Sequence, residues 1–248
     1  MSKTLLITGG SRGIGAAAAV LAARRGWDVA VNYTRDAAAA QRVAEQVRAL
    51  GQRALVVQAD VADEAQVLAM FAAVDKEFGP LHGLVNNAGV VDMPSRVDQM
   101  SLQRLMRMFA INLTGSFLCA REAVKRMSSK HGGAGGVIVN LSSAAARLGS
   151  PGQYVDYAAA KAGIDAFTLG LAREVANEGI RVNAVRPGII DTEIHASGGL
   201  PDRVKQTTPM VPMQRAGSAD EVAQAIVWLL SDESSYTTGA VIDVTGGR

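Results

Sequence analysis

Cysteine is nearly absent from the sequence, since Cys119 is the only one in 248 residues. A single thiol excludes an intramolecular disulfide and every zinc or iron–sulfur site that needs several cysteines. Because Cys119 lies within an apolar helical pattern, we expect it to be a buried structural thiol. The histidines His82, His131 and His195 have no partner at ligand spacing. The sequence therefore predicts no metal site.

Long apolar runs and an excess of one charge are also missing. No apolar run approaches the roughly 20 residues that a membrane-spanning helix needs. Met1-Ser2-Lys3 leads directly into a short apolar run, without the pattern of a signal peptide. Lysine and arginine number 25 against 23 acidic residues, and Arg24-Arg25 and Lys125-Arg126 are only short basic pairs. We expect a cytoplasmic protein with no membrane partner and no nucleic-acid partner.

Apolar residues are plentiful, at 48% of the chain, and their arrangement alternates. Short runs rich in β-branched residues, typical of buried parallel strands, alternate with longer segments of helical periodicity. Seven runs are predicted to be strands, at residues 5–7, 29–31, 55–57, 83–85, 137–139, 182–185 and 241–244. This alternation predicts an α/β fold, with a doubly wound, mostly parallel seven-stranded sheet and helices on both faces. No linker divides residues 1–248, so one domain is predicted.

Some helix ends and one irregular segment can also be predicted. Ser101 is expected to cap a long helix, and Ser218 forms a capping box with Glu221 ahead of another. The segment at about 190–215 is rich in glycine and proline. A long irregular segment in a compact α/β protein is often a lid over a binding site, and a disordered crossover is the alternative.

A glycine-rich turn follows the first predicted strand, in the sequence TGGSRGIG at 8–15, and an alanine-rich helix is expected from Ala16. Glycines let the backbone approach a pyrophosphate, and the N-terminus of a helix offers unpaired N–H groups and a positive dipole end. The spacing differs from G-x-G-x-x-G, and the useful glycines are Gly9, Gly13 and Gly15. Their position after the first strand predicts a dinucleotide cofactor.

The end of the second strand bears on which nicotinamide cofactor is bound. NAD sites usually place an acidic side chain there for the ribose 2′-hydroxyl. The strand ends instead in Asn32-Tyr33-Thr34-Arg35, and the first carboxylate is Asp36. Arg12 and Arg35 are suited to flank a 2′-phosphate, with solvated surface cations as the alternative. The sequence favours NADP(H) and keeps NAD(H) as the second choice.

A tyrosine and a lysine four residues apart begin a later helix, in Tyr157-Ala158-Ala159-Ala160-Lys161, and share one of its faces. A lysine cation beside a tyrosine favours the phenolate and makes proton exchange feasible near neutral pH. The Y-x-x-x-K spacing by itself is only weak evidence for a catalytic pair. It follows a predicted strand that runs into Ser142-Ser143, where hydroxyl groups would face a ligand crevice.

Six motifs in order make the chain resemble the short-chain dehydrogenase/reductase family over essentially its whole length. They are TGGSRGIG at 8–15, NNAG at 86–89, Asn112, the serine pair, YAAAK at 157–161 and PG at 187–188. The resemblance is to the branch of 3-oxoacyl-acyl-carrier-protein reductases and glucose 1-dehydrogenases. It implies a single-domain Rossmann fold and hydride transfer between the nicotinamide and a small carbonyl or alcohol substrate.

The resemblance also implies catalytic roles for Asn112, Ser143, Tyr157 and Lys161. Tyr157 would be the acid/base that protonates the alkoxide. Lys161 would hold the nicotinamide ribose and lower the pKa of the tyrosine. Ser143 would hydrogen-bond the substrate oxygen, and Asn112 would anchor a water or backbone contact of a proton relay. An enoyl reductase is disfavoured, because that branch has a longer tyrosine-to-lysine spacing.

Cofactor contacts are implied along the whole chain, in addition to Tyr157 and Lys161. The phosphates would meet the turn, and the adenosine would meet the ends of three strands. The nicotinamide would be framed by the segment after the sixth strand. The expected residues are Gly9, Ser11, Arg12, Gly13, Ile14, Gly15, Tyr33, Thr34, Arg35, Asp60, Val61, Asn87, Ala88, Gly89, Pro187, Gly188, Ile190 and Thr192.

Several alternatives stay open at this point. Ser143 precedes Tyr157 by 14 residues, one more than in many family members, so Ser142 remains the alternative to Ser143. His82 stands where many relatives have an acidic residue, and only a surface contact is expected to change. An NAD(H)-dependent sugar or alcohol dehydrogenase, and a non-catalytic nucleotide-sensing regulator, are the rival functions. The family commonly forms homotetramers, here through helices at 101–127 and 152–177 and the segment 238–243.

Overall fold

The computed structural model describes residues 2–193 and 198–248. Seven parallel strands form one sheet in the order β3-β2-β1-β4-β5-β6-β7. The strands are β1 (Lys3–Ile7), β2 (Trp27–Tyr33), β3 (Ala54–Gln58), β4 (Gly83–Asn86), β5 (Gly136–Leu141), β6 (Ile180–Pro187) and β7 (Val241–Val244). Each contains the run predicted for it, and the predicted α/β fold with a seven-stranded parallel sheet is confirmed.

Helices cover both faces of the sheet because the strand side chains alternate between two apolar clusters. Leu5 and Ile7 pack with α1, α2 and α9, while Leu6 between them packs with α3, α5 and α7. The described helices are α1 (Gly13–Arg24), α2 (Ala37–Ala49), α3 (Glu64–Phe78), α4 (Leu102–Phe109), α5 (Gly115–Met127), α6 (Ala145–Leu148), α7 (Val155–Val175), α8 (Arg203–Thr207) and α9 (Ala219–Leu230). The predicted double winding follows from this packing.

The strand order reverses between β1 and β4, which are neighbours in the sheet although two strands separate them in sequence. In open α/β sheets, ligands bind in the crevice outside the carboxyl ends of the strands at such a point. The glycine-rich turn follows β1 and the NNAG motif continues β4, so both motifs meet at this crevice.

The helix ends agree with most of the predicted signals. The Ser101 side chain accepts from the N–H of Arg104, and Ser218 and Glu221 form the complete capping box. Two details differ. Helix α1 begins at Gly13, earlier than the expected Ala16, so the phosphate-binding turn is shorter. The long helix after Ser101 is divided by one π-helical turn, Ala110–Thr114.

The segment expected to be a lid is partly regular. Ile190 forms an isolated parallel bridge with Gly217, and α8 is followed by a 3₁₀ turn, Thr208–Met210. Residues 194–197, including His195, lie outside the described residues. In the described part of the chain, no helix combines the length and apolar character needed to cross a membrane.

His82 is more than the surface contact expected from the sequence. It is half-buried just before β4, and its Nδ1 accepts a hydrogen bond from the N–H of Thr4 at 3.0 Å. Burial and the charge of Lys3 both lower the pKa of His82. The imidazole is therefore held in the neutral form that accepts this bond and joins the starts of β1 and β4.

Candidate active site

The glycine-rich turn needs glycine at three positions, for its backbone conformation or for close packing. Gly9 and Gly13 have φ angles of 61° and 53°, which favour glycine. A Cβ on Gly15 would lie 2.5 Å from Asn87 Nδ2 and 2.6 Å from the carbonyl oxygen of Gly9. Gly15 is therefore required for the close packing of α1 against the turn.

Thr8 and Asn87 hold this turn against the end of β4. Asn87 Nδ2 donates to the carbonyl oxygens of Thr8 and Gly9, both at 2.9 Å. Thr8 Oγ1 accepts from the N–H groups of Asn87 and Ala88, both at 3.0 Å. The sequence motif includes Thr8, but its role as a buried support was not predicted. The sequence signal that could have indicated this role is a polar residue, Thr8, directly after an apolar strand.

The N-terminus of α1 is suited to an anion. Within the described residues, Arg12 at the N-cap makes no side-chain capping bond, and the first turn has no acidic residue. The N–H groups and the positive dipole end of α1 therefore face the turn without a capping side chain from the helix itself, and Glu193 Oε2 lies 3.9 Å from the position of a Cβ on Gly13. A Cβ on Gly13 would lie 3.4 Å from Thr192 Cγ2, so the segment after β6 reaches the same turn. These features fit the pyrophosphate of a dinucleotide.

The ends of β2 and β3 lie beyond the turn, where the adenosine half of such a cofactor would extend. Arg12 and Arg35 are both exposed there. Asp36, the first carboxylate after β2, accepts from the N–H of Ala39 at 2.8 Å and so caps α2. Asn32, buried and not singled out from the sequence, accepts from the N–H of Gly9 at 3.1 Å. This amide ties β2 to the turn.

Asp60 and Val61 follow β3 at the same edge. Asp60 Oδ1 accepts from the N–H of Ala62 at 3.0 Å, which closes a tight turn. Val61 is buried, and a Cβ on Gly115 would lie 2.7 Å from Val61 Cγ2. Val61 therefore packs against the start of α5, with its backbone at the edge of the crevice.

Lys161 is buried on the face of α7 that also carries Tyr157. Its Nζ donates to the carbonyl oxygen of Leu141 at 2.6 Å and lies 5.7 Å from the centre of the Tyr157 ring. Burial lowers the pKa of Lys161 to about 8, while the charge of Asp165 acts in the opposite direction. Its charge is therefore sensitive to pH in the neutral to weakly alkaline range.

Tyr157 has a raised pKa in this arrangement, and the lowering of its pKa by Lys161 stays a prediction. Burial raises the pKa of the phenol, and a hydrogen bond with Ser143 and the positive charge of Arg203 act against this. The Lys161 ammonium is directed to Leu141 instead. In this arrangement the phenol is kept protonated at neutral pH.

The two serines after β5 have different surroundings. Ser142 is buried, and its Oγ donates to the carbonyl oxygen of Lys161 at 3.2 Å. Ser143 is half-buried, and its Oγ accepts from the N–H of Ala145 at 3.1 Å besides its bond with Tyr157. The geometry favours Ser143 as the hydroxyl that meets a substrate, since Ser142 is already committed to the α7 backbone.

Asn112 lies in the π-helical turn and is completely buried. Its Oδ1 accepts from the N–H of Val90, and its Nδ2 donates to the carbonyl oxygen of Val90, both at 3.0 Å. A Cβ on Gly89 would lie 2.9 Å from Asn112 Oδ1 and 3.7 Å from Lys161 Nζ. The π turn thus places the amide beside the backbone of the NNAG segment, close to Lys161. Such turns are frequent at functional sites.

A cleft of about 420 Å³ joins these elements. Of the predicted site residues, those on its wall are Ile14, Asn87, Gly89, Ser143, Tyr157, Lys161, Pro187, Gly188, Ile190 and Thr192. The remaining ones belong to the turn, to the adenosine edge at β2 and β3, to the segment after β4 for Ala88, or to the layer behind the cleft for Asn112. Val91, Leu148 and Met210 give the wall an apolar part.

The cleft wall also includes residues that were not predicted, among them Gln153, Tyr154 and Arg203. Arg203 Nη1 donates to Gln153 Oε1 at 2.6 Å, and its guanidinium carbon lies 4.9 Å from the centre of the Tyr154 ring. Asp156 does not line the cleft among the described residues. It is buried in an ion pair with Arg104 of α4, with Nε and Oδ2 2.7 Å apart.

Comparison with known proteins agrees with this geometry. The family model described as enoyl-(acyl carrier protein) reductase matches residues 9–248. The chain is 58% identical over 243 residues to the "uncharacterized oxidoreductase YgfF" of Escherichia coli K12, covering 98% of both chains. It is 40% identical to the 3-oxoacyl-[acyl-carrier-protein] reductase FabG of Staphylococcus aureus, covering 100% of this chain and 98% of the relative. The chain belongs to the short-chain dehydrogenase/reductase family.

A solved member of the family shares the architecture. The structure of a short-chain dehydrogenase from Burkholderia cenocepacia J2315 in complex with NADP has a TM-score of 0.90 at 33% identity. The match covers 99% of this chain and 97% of that one. The predicted family, with its 3-oxoacyl-acyl-carrier-protein reductase-like branch, is confirmed. This short-chain dehydrogenase/reductase is an NAD(P)-dependent oxidoreductase acting on CH–OH groups.

Proposed function

We propose that this enzyme transfers a hydride between NADP(H) and a small carbonyl or secondary alcohol, with Tyr157 as the acid/base. The observation that carries the proposal is the hydrogen-bonded pair of Ser143 and Tyr157 on the wall of a cleft that continues to the glycine-rich turn. A nicotinamide at the inner end of that cleft would supply or accept the hydride.

The protein's own part in reduction is to hold the carbonyl and to deliver a proton. Ser143 donates a hydrogen bond to the substrate oxygen, and Tyr157 gives its proton to that oxygen as negative charge develops. A tyrosine phenol is already protonated at neutral pH, so Tyr157 has a proton to give in this direction of the reaction. Lys161 binds the ribose hydroxyls, and Asn112 positions the Val90 backbone.

NADP(H) is preferred over NAD(H) on the basis of the charges at the β2 edge. Asp36 is used as the cap of α2, which removes it from the ribose 2′-hydroxyl. The exposed Arg12 and Arg35 suit a 2′-phosphate, for which arginine is a good partner. The Burkholderia cenocepacia relative was solved with NADP, which supports the same preference here.

The catalytic proposal is tested by mixing the protein with NADPH and a panel of ketones, sugar lactones and enoyl compounds and following cofactor absorbance. Tyr157→Phe should lower kcat on any reduced ketone by at least about a thousandfold, since the proton donor is lost. Cofactor affinity should stay near the wild-type value. Equal activity of Y157F and wild type would refute the acid/base role. NADPH binding without turnover of any compound would favour a nucleotide-sensing regulator.

Cofactor choice is tested by comparing the dissociation constants for NADPH and NADH. Wild type should bind NADPH more tightly, and R35S should weaken NADPH binding about tenfold while changing NADH binding little. Lys76→Ser, a loss of one cation on α3, serves as the charge control. A tenfold or greater preference of wild type for NADH would contradict the proposal.

We propose further that the enzyme works in the cytoplasm as a homotetramer. The helices that the family resemblance assigns to the contacts, α4, α5 and α7, carry exposed apolar side chains, among them Met106, Phe117 and Leu169. Exposed apolar residues gathered on a few helices are typical of an interaction surface.

A further inference from the structure

The cleft carries a cation for which the reaction proposed above has no use. Arg203 is the first residue of α8, in the segment expected from the sequence to cover the site, and it is half-buried on the cleft wall. Within the described residues, its guanidinium donates from Nη1 to Gln153 Oε1 at 2.6 Å and also bonds to the Tyr154 phenol. Both partners are neutral, and among these residues no carboxylate is bonded to Arg203.

The charges on the cleft wall are all of one sign. Among its described lining residues, the charged side chains are Lys161, Arg203 and Arg248, and none is acidic. Lys161 is bound to the Leu141 carbonyl, and Arg248 also borders a neighbouring hollow next to β7. Arg203 is therefore the cation best placed to meet the substrate rather than the cofactor.

Arg203 also lies close to the reacting end of the cleft. Its guanidinium carbon is 4.9 Å from the centre of the Tyr154 ring, and Tyr154 precedes Tyr157 by less than one helical turn. The positive charge acts on Tyr157 itself, since it lowers the pKa of that phenol. Since Ser143, Tyr157 and Arg203 line the same cleft, an anion bound by Arg203 would share that cleft with a carbonyl held by Ser143 and Tyr157.

We propose that Arg203 binds a carboxylate of the substrate, so that the enzyme interconverts short oxo acids and the corresponding hydroxy acids. The planar fork of an arginine matches a carboxylate, and the Tyr154 ring packs against the guanidinium with its centre 4.9 Å from the guanidinium carbon. The apolar wall of Val91, Leu148 and Met210 suits a carbon chain, and since the nicotinamide would share the cleft of about 420 Å³, the space left suits a short one. This inference rests on the proposed function, in which NADPH and a proton reduce the carbonyl to the alcohol.

The test compares acids with esters that have the same carbon skeleton. Acetoacetate and 4-oxopentanoate are each paired with their methyl ester, and kcat/KM is measured with NADPH. Wild type should favour the acids by at least about tenfold, and Arg203→Gln should lower this acid-to-ester ratio by at least about tenfold. The acid-to-ester ratio of kcat/KM is the quantity to compare. Loss of the Arg203 charge also changes the pKa of Tyr157, but this affects the acid and the ester alike and cancels in the ratio. R203K should retain part of the preference.

Two control variants separate carboxylate binding from a structural role. Q153A removes the hydrogen bond that links Arg203 to the opposite segment but keeps the charge, so acid and ester should change together. K205Q removes an exposed cation of the same helix and should leave the ratio at the wild-type value. An unchanged ratio in R203Q, or a wild-type preference for esters, overturns the inference.

The outcomes also distinguish this inference from the proposed function. Reduction of esters without a preference for acids upholds the function and overturns the inference. If neither member of any pair is reduced, the proposed reaction fails, and calorimetric titration of acetoacetate into the protein–NADPH complex decides the binding site. Binding that is weakened at least about tenfold in R203Q supports the carboxylate site, and no binding to wild type overturns it.

Discussion

Lys161 is expected to make NADPH affinity depend on pH, because its surroundings shift its pKa. Burial lowers its pKa from an ordinary 10.5 to about 8 in the free protein. Deprotonation removes the charge and one hydrogen-bond donor of the group proposed to hold the cofactor ribose. NADPH affinity should therefore fall as pH rises through about 8, by at most about tenfold per pH unit for one proton. Fluorescence titration between about pH 7 and 9.5 measures this slope.

Lys161→Gln provides the comparison for this titration. Glutamine is neutral throughout the range, so its weaker binding should be nearly independent of pH. The same slope in wild type and K161Q would show that another group is responsible.

Residues with local signals could be predicted, and residues placed by tertiary contacts could not. The spacing of Tyr157 and Lys161 placed them on one helical face, and the structure has them there. Arg203 stands in an irregular segment, and its partner Gln153 is 50 residues away. The direction of the pKa shift of Tyr157 in this structure could not be predicted for a related reason. It depends on burial and on where the Lys161 ammonium points, and spacing gives neither.

At the scale of elements, the turn before α1 gives a direct steric prediction. In Gly15→Ala the new methyl group would lie 2.5 Å from Asn87 Nδ2 and 2.6 Å from the Gly9 carbonyl. We expect unfolding to become easier by about 1–3 kcal/mol. NADPH binding should weaken by at least about tenfold, or about 1.4 kcal/mol, because the turn must open. Thermal denaturation and fluorescence titration measure the two effects.

Gly51→Ala is the matched control for this variant. Gly51 ends α2 at φ 86°, with nothing within 4 Å of an added Cβ, so alanine is strained there without a clash. Its stability should fall by about 1 kcal/mol while NADPH affinity is kept. Loss of affinity in both variants would mean that binding follows general stability instead of the turn.

Element boundaries show a second limit of prediction. Capping residues located the starts of α4 and α9, because a cap is a local hydrogen bond. The π-helical turn at Asn112 has no such signal. It is stabilised by bonds from Asn112 to Val90, which is 22 residues away. Similarly, the ion pair of Asp156, in the first turn of α7, with Arg104 of another helix has no local signal in the sequence.

For the whole molecule, the alternation of strands and helices was sufficient to predict a doubly wound parallel sheet. The strand order was not predicted, because periodicity carries no information about which strands are neighbours. The order matters for function, since the reversal between β1 and β4 brings the glycine-rich turn and Asn87 together. The crevice at the carboxyl ends is then the place where both motifs act.

The proposed homotetramer gives the last prediction, and it concerns surfaces that the isolated chain leaves exposed. Met106 on α4 is 65% exposed and Leu169 on α7 is 41% exposed, which is unfavourable unless another copy covers them. Sedimentation velocity at about 10 μM should give a tetramer for wild type. Met106→Glu combined with Leu169→Glu should give smaller species, because each carboxylate would be buried without a partner.

Leu68→Glu separates this effect from a general change in surface charge. Leu68 is 43% exposed on α3, outside the helices assigned to the contacts, so L68E should remain a tetramer. A monomeric wild type at this concentration would contradict the assembly. Dissociation of L68E together with a stable double variant would place the contact on α3 instead. In that case, the exposed apolar faces of α4 and α7 would need another partner.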